Sequence, residues 1–464
     1  MKHTADYLIV GSGAVGMAFA DVLLTETDAT MIIVDRFAKP GGHWNVAYPF
    51  VTLHQPSAYY GVSSRELGTG RLETDGLNKG LSELATGAEI SAYFDAVMRE
   101  QFIPSGRVQY FPMCDYQGDG HFINTVSGQT HHATVTKMVD ATHLKTTVPS
   151  THTPNFDVAP DVRFMPLNDL PTIDTPPDGF VVIGTGKTGI DAVLWLLQND
   201  VSPDDIRWIM PRDAWLLDRA NTQPDPSFFH QTMEAQAAQM ESIAQAESVP
   251  DMFDRLEACG YFVRIDTDVR PQMFHGATIS QAELAALRRV KHNIIRLGRV
   301  SSITERVITL EHGTIATTAN TVHVDCSARA ISNMEIKPIF DGHVITPQMV
   351  RSYQPVFSAA FIAHIEATYD DETEKNRLCG VVPLPNHDTD YLRFTAAFMM
   401  NQYNWGQDKA LRKWLRGNRL DGFSDMVASI APEDTDKIAV MTRIKDNSFP
   451  AMGKLQAFLA ALGG

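Results

Sequence analysis

The chain has 464 residues, 44% hydrophobic and 20% charged, with a formal net charge of −16 from 39 basic and 55 acidic side chains. That length exceeds one ordinary domain and predicts two or three, in a soluble globular chain able to bury sizeable cores. So acidic a surface repels nucleic-acid phosphates and anionic lipid, which excludes both as partners.

In chain order, Tyr7-Leu8-Ile9-Val10 reads as a buried strand, followed by Gly11-Ser12-Gly13-Ala14-Val15-Gly16, a helix through Leu24 and a second strand at 31–34. This is a βαβ unit. Gly11 permits the tight turn, Gly13 lets backbone approach a diphosphate, and Gly16 lets helix and strand touch. The first helical N–H groups, around Ala14 and Val15, then face the anion. Asp35 ends the second strand, with Arg36 beside it. A carboxylate there accepts the hydroxyls of an adenosine ribose. The irregular stretch 39–64 carries Gly41-Gly42-His43-Trp44, where paired glycines let backbone lie against a ligand and Trp44 offers a flat surface to a ring system.

Residues 89–101 read as an amphipathic helix and 108–139 as a small antiparallel sheet. The proline-rich segment 146–177 reads as a crossover between domains. A second βαβ unit opens at Phe180-Val181-Val182-Ile183, with the loop Gly184-Thr185-Gly186-Lys187-Thr188-Gly189, a helix through Leu197 and a strand at 206–210. Here Arg212 takes the ribose-acid position. Its guanidinium suits a 2′-phosphate and favours NADPH over NADH, and Lys187 adds charge near the same phosphates. The competing reading pairs Arg212 with Asp213 or Asp218 at the surface. Residues 223–256 read as a polar helical insertion and 322–326 as a strand, after which the chain returns to the first domain. Helices are predicted at 355–367, led by Gln354-Pro355, and at 411–420.

Cys114, Cys259, Cys326 and Cys379 form no C-x-x-C or C-x-x-x-x-C pair, which argues against zinc and a redox disulfide and fits a reducing, cytoplasmic compartment. His131-His132 and the other histidines have no ligand spacing, so no metal is expected. A strand beginning at Asp6 leaves no room for a secretory leader, and no apolar run approaches the ~20 residues of a membrane helix.

Both glycine loops, Gly41-Gly42-His43-Trp44, and Asp140-Ala141-Thr142-His143 after a strand resemble the class B flavin monooxygenases over residues 1 to 220, and more loosely over 322–328. The family carries A-T-G where Ala141-Thr142-His143 stands. Its F-x-G-x-x-x-H signature meets Phe156-Asp157-Val158-Ala159-Pro160-Asp161-Val162, which keeps the Phe and lacks the Gly and the His.

The resemblance implies an α/β fold of two Rossmann-like dinucleotide-binding domains, three-layer ββα. FAD would be bound by 1–145 with 322–464, and NADPH by 160–321, which carries a helical insertion over 220–290. It implies a single-component FAD- and NADPH-dependent monooxygenase, acting with dioxygen through a C4a-(hydro)peroxyflavin on a small organic substrate. A halogenase, a flavin reductase or oxidase, or a non-catalytic dinucleotide-binding protein would use the same scaffold. By position, His54 and Gln55 fall on the loop that passes the reactive face of the flavin, with Trp44 sheltering it. His54 also reads as an ordinary loop histidine, and Tyr59 and Tyr60 as core or as substrate wall. Thr142 and Gln354 complete the expected FAD contacts, Gln354 at a helix end aimed at the flavin N1–C2=O edge.

Overall fold

A computed structural model describes residues 1–328 and 334–463. β1 (Lys2–Val10), α1 (Ala14–Glu26), β2 (Met31–Val34), α2 (Gly87–Val97) and β3 (Val108–Phe111) come first, followed by β4 (Cys114–Gly118), β5 (His121–Asn124) and β6 (Thr130–Asp140). β2 pairs in parallel with β1 and β3, and β6 runs parallel to β1 on its other side. The expected antiparallel sheet over 108–139 therefore holds only for β4, β5 and β6. β3 belongs to the main parallel sheet.

β2 is apolar throughout and β1 over its last residues, where the sheet is buried on both faces. Ile9, Met31, Ile33 and Val139 turn toward Met17, Ala18 and Phe19 of α1. Leu8, Val10, Ile32 and Val34 turn toward Cys114, Phe122 and Ala133 of the β4–β6 meander. Helices, parallel sheet and meander make the three layers.

The second domain repeats this plan. Its elements are β7 (Asp157–Val158), β8 (Phe164–Pro166), β9 (Phe180–Ile183), α3 (Lys187–Gln198), β10 (Ile206–Ile209), β11 (Ala214–Asp218), α4 (Phe229–Gln245), α5 (Val249–Ala258), β12 (Phe262–Val263), β13 (Met273–Ile279), α6 (Gln281–Arg288), β14 (Ile294–Ile295), β15 (Val300–Ile303), β16 (Val307–Leu310), β17 (Gly313–Ala316) and β18 (Val322–Asp325). A parallel sheet runs β14-β10-β9-β18-β8. Phe180, Val182, Trp208 and Val324 face Ile190, Val193 and Leu196 of α3. Val181, Ile183 and Ile209 face Ile303 and Ile308 of a second meander.

Three expected boundaries shift. β18 pairs with β9 and β8, so the second domain extends past 322, and the return begins with β19 (Phe340–Asp341) and β20 (Val344–Ile345), which joins β6. The 220–290 insertion is not wholly helical, because β12 and β13 flank β11 in a small sheet of their own. The C-terminal part is also not confined to the first domain. After α7 (Pro355–Thr368), α8 (Glu372–Leu378), α9 (Asp390–Gln407), α10 (Lys409–Gly417) and α11 (Ser424–Ala428), α12 (Thr435–Ala461) packs on α4. Arg443 there binds Glu234 and Glu241, and Val440 joins Phe229 and Met233 in one apolar cluster. Among the described residues, no helix is long and apolar enough to cross a membrane.

Candidate dinucleotide sites

The first glycine loop sits where β1 hands over to α1. Gly11 has φ +101°, in the region open to glycine. A Cβ on Gly16 would collide with the carbonyl oxygen of Gly11, so helix and turn meet there. Gly13 is the N-cap of α1 and supplies no side-chain cap, and Ala14 and Val15 form the buried first turn. The first N–H groups of the helix therefore lack a side-chain acceptor, as an anion site requires.

Asp35 is buried and fastens this loop. Its Oδ2 accepts hydrogen bonds from Ser12 N (2.5 Å) and Ser12 Oγ (2.8 Å), and its Oδ1 accepts from Phe37 N (2.8 Å). A carboxylate has about four acceptor positions, which leaves capacity for a ribose hydroxyl. Arg36 is exposed, its guanidinium 5.1 Å from the Phe37 ring centre.

Gly41 N donates to Ser12 O at 2.8 Å. Gly42, at φ +59°, presses on Gly13 so closely that a Cβ would lie 2.9 Å from the Gly13 Cα. Trp44 Nε1 donates to Tyr60 Oη (2.8 Å), and the indole packs against both domain cores. His43 lies against Trp44, and burial pushes its pKa down to about 4. Thr142 donates to Asp140 Oδ1 through N and Oγ1, and its methyl faces Gly11. His143 Nε2 lies 3.1 Å from the Glu335 carbonyl.

Gln354 is the buried N-cap of α7 and makes no side-chain cap, with Pro355 at the first helical position. Beside it Arg351 pairs with Asp421 (2.5 Å) and lies 3.6 Å over the Phe357 ring. Tyr353 has φ +49°, and its ring covers Gly276, where any Cβ would strike it. The buried Tyr353 hydroxyl has no partner among the described residues.

The second loop copies the first. Gly184 has φ +130°, and a Cβ on Gly189 would collide with the Gly184 oxygen. Gly186 caps α3 without a side-chain bond, and among the described residues nothing lies within 4 Å of where its Cβ would be. Thr185 and Thr188 flank it, half-buried. Trp208 Nε1 donates to the Gly184 carbonyl at 2.7 Å and pins the turn. Lys187 turns back onto Asp191. Arg212 Nη2 donates to Asn386 Oδ1 at 2.9 Å, and Nη1 lies 3.3 Å from His387 Nδ1. Both oxygens of Asp213 are engaged by Arg296, at 2.8 and 2.9 Å. Asp218 accepts from Gln281 at 2.7 Å.

The His54 carbonyl accepts from Arg219 Nε (3.1 Å) and Thr278 Oγ1 (2.6 Å). The His54 side chain is exposed. Surrounding protein, with the charges of Lys187 and Arg219, lowers its pKa below the usual value. Gln55 follows, half-buried, while Tyr59 and Tyr60 are core residues, 2% and 5% exposed. Residues 156–162 buttress the outer layer. Phe156 meets Phe164 edge-on, and β7 pairs with β15. Sequence reasoning missed Arg219, which is fully buried and paired with Glu283 at 2.8 Å. It also missed Trp208, Tyr48 and Asp191, whose contacts span sequence distances that no local spacing encodes.

Two parallel sheets, each with a glycine loop opening onto a helix whose N-cap makes no side-chain bond, define a two-domain α/β protein. Proteins of Mycobacterium bovis (Mb2023) and Mycobacterium tuberculosis (Rv2000), both uncharacterized, are each 48% identical to the chain over 427 residues, covering 92% of it and 79% of their own length. The chain belongs to their family. No protein-family profile matches it. Among solved structures it is similar to a flavin-containing monooxygenase from Stenotrophomonas maltophilia (12% identity, 79% of this chain and 97% of that one, TM-score 0.45). It is also similar to closed cyclohexanone monooxygenase (12% identity, 97% and 98% coverage, TM-score 0.46) and to steroid monooxygenase bound to NADP (13% identity, 78% and 84%, TM-score 0.43).

Proposed function

We propose that the chain is an oxidoreductase that holds FAD in its first domain and NADPH in its second, and acts as a monooxygenase on a small organic substrate. The observation that carries this reading is the repeated strand–glycine loop–helix cradle, with the buried acid Asp35 after the first and Arg212 after the second. Gly11 and Gly16 form the tight turn, Gly42 lies against Gly13, and the α1 N-terminus supplies donors to a diphosphate. Gly184 and Gly189 repeat the turn, and Gly186 offers the α3 N-terminus to the second dinucleotide, with Arg212 toward its 2′-phosphate. When bound, FAD supplies hydride acceptance from NADPH and activation of dioxygen. His54, with Gln55 beside it, offers a hydrogen-bonding group toward the reacting end of the flavin, and Trp44, packed against both domain cores, offers it an apolar flank.

One observation favours a second reading, an NADPH-dependent reductase or oxidase. The stretch 156–162 lacks the Gly and His of the monooxygenase signature, and it packs as a structural strand. The test is the spectrum of the purified chain and its response to anaerobic NADPH, followed by oxygen uptake against peroxide release. Flavin bands that NADPH bleaches, with oxygen consumed beyond the peroxide formed once a substrate is added, support the monooxygenase. Stoichiometric peroxide under every condition supports the oxidase. A colourless protein that takes up no FAD refutes both.

A further inference from the structure

Lys187, Asp191 and Trp195 stand one turn apart on α3 and form one stripe along it. Lys187 pairs with Asp191, whose Oδ2 accepts the Tyr48 hydroxyl at 2.5 Å. Trp195 stacks on Phe50, ring centres 5.1 Å apart. Tyr48 and Phe50 belong to the loop that begins at Gly41, which presses on the first glycine turn. Val46 of that loop is tied to the crossover segment by Ser150 (2.6 Å) and Asn168 (3.1 Å). The loop covering the first dinucleotide cradle is thus docked along the helix that starts at the second.

The trio is largely buried. Tyr48 is 6% exposed, and the Lys187 and Asp191 side chains 8% and 13%. Lys187 is the first residue of α3, at the positive end of the helix, where a cation is disfavoured. Asp191 offsets that repulsion. One residue earlier, no described residue lies within 4 Å of where a Gly186 Cβ would be. A phosphate anion seated there on the helix N-terminus would compete with Asp191 for the same ammonium.

We propose that Asp191 is a positioning residue that surrenders Lys187 to the diphosphate of the nicotinamide dinucleotide, with Tyr48 as the partner the carboxylate keeps. This rests on the reading that the second cradle takes NADP(H). The exchange requires a ligand that favours one arrangement over the other, and the anion supplies it. Its consequence is a link between the cradles, because Tyr48 senses occupancy at α3 and carries it to the loop on Gly13.

The signs of the effects are opposed, which makes the test sharp. NADP⁺ is titrated calorimetrically into the full chain, as purified with its flavin, for the parent, Asp191→Asn, Tyr48→Phe and the double variant, with a thermal melt of each. Asp191→Asn no longer competes for Lys187, so NADP⁺ binds roughly three- to tenfold more tightly, the range expected for one partly screened ion pair. Tyr48→Phe strands the carboxylate when Lys187 leaves and weakens binding by a similar factor. The double variant behaves as Asp191→Asn, because Tyr48 acts only through Asp191. A merely structural trio would instead give weaker binding in every variant, in step with lost thermal stability. That result, or an unchanged affinity in Asp191→Asn, overturns the proposal. A parent chain that binds neither NADP⁺ nor NAD⁺ overturns the reading of the second domain itself, and the exchange with it.

Discussion

Gly186→Ala separates what the second glycine loop does for folding from what it does for a ligand. Gly186 sits at φ −66° and ψ 178°, a conformation alanine adopts freely, and no described residue lies within 4 Å of the added methyl. Two small terms oppose each other. Alanine restricts the unfolded chain, contributing about 0.4–1 kcal/mol of stability, and it is a poorer N-cap than glycine by about the same amount. The net effect on stability is within about 1 kcal/mol, a shift of no more than roughly 2–4 °C in Tm for a domain of this size. The methyl nevertheless occupies the surface where a diphosphate must approach backbone. Displacing the anion forfeits at least one charge-assisted hydrogen bond at the α3 N-terminus, about 1.5–3 kcal/mol, or roughly ten- to a hundredfold in affinity. The assay is calorimetric NADP⁺ titration and anaerobic flavin reduction by NADPH, alongside flavin content and a melt. Unaltered flavin content and Tm with a tenfold or greater loss of NADP⁺ affinity is the expected pattern. Gly189→Ala, whose Cβ would collide with the Gly184 oxygen, should by contrast lower Tm outright. Full NADP⁺ affinity in Gly186→Ala, or a Tm loss matching that of Gly189→Ala, would refute the reasoning.

Arg212→Ala should weaken NADPH by roughly ten- to a hundredfold and leave NADH little changed, because only the former presents a 2′-phosphate to the guanidinium; equal losses in steady-state KM for the two nucleotides would remove Arg212 from cofactor choice. Arg219→Met leaves Glu283 buried and uncompensated, with the His54 carbonyl short of a donor, and should cost about 3–5 kcal/mol, read as a Tm drop of roughly 10 °C, part of which Arg219→Met/Glu283→Leu restores. His43 has its pKa held at about 4 by burial against an ordinary 6.5, so the unfolded chain binds the proton first: the stability His43 contributes is complete above about pH 6.5 and falls as pH drops toward 4. Denaturant midpoints in that window should fall less steeply in His43→Asn than in the parent, and parallel curves would contradict the assignment.

What could be read from the sequence was whatever depends on neighbours along the chain. Gly11, Gly16, Gly184 and Gly189 are needed because a strand must turn into a helix within a few residues, and that need leaves a spacing. Asp35 is found by its place at a strand end, and α7 by its apolar run behind Pro355. The strand at 322–325 was also legible, but not its sheet. Its partners, β9 and β8, are chosen by a crossover that no residue of the strand encodes. The long α12 escaped notice because it carries Pro450 inside it and a mixed polar surface. That surface makes sense only against α4, where Arg443 meets two glutamates.

The candidate site divides in the same way. Positions whose backbone needs a tight turn or a close helix–turn contact, such as Gly16 and Gly189, announce themselves by their spacing. Residues that act through another residue do not. Asp191 reads as one acid on an amphipathic helix until Tyr48 arrives from 143 positions away, and Arg219 as a loop cation until His54 and Glu283 close around it. Lys187 is the instructive case. Its place beside Gly186 suggests a phosphate contact, while Asp191, one helical turn on, competes for the same charge. Both facts stand in the six residues from 186 to 191. Only the burial of the pair, which raises the cost of leaving either charge alone, turns that local coincidence into a mechanism that an NADP⁺ titration can read.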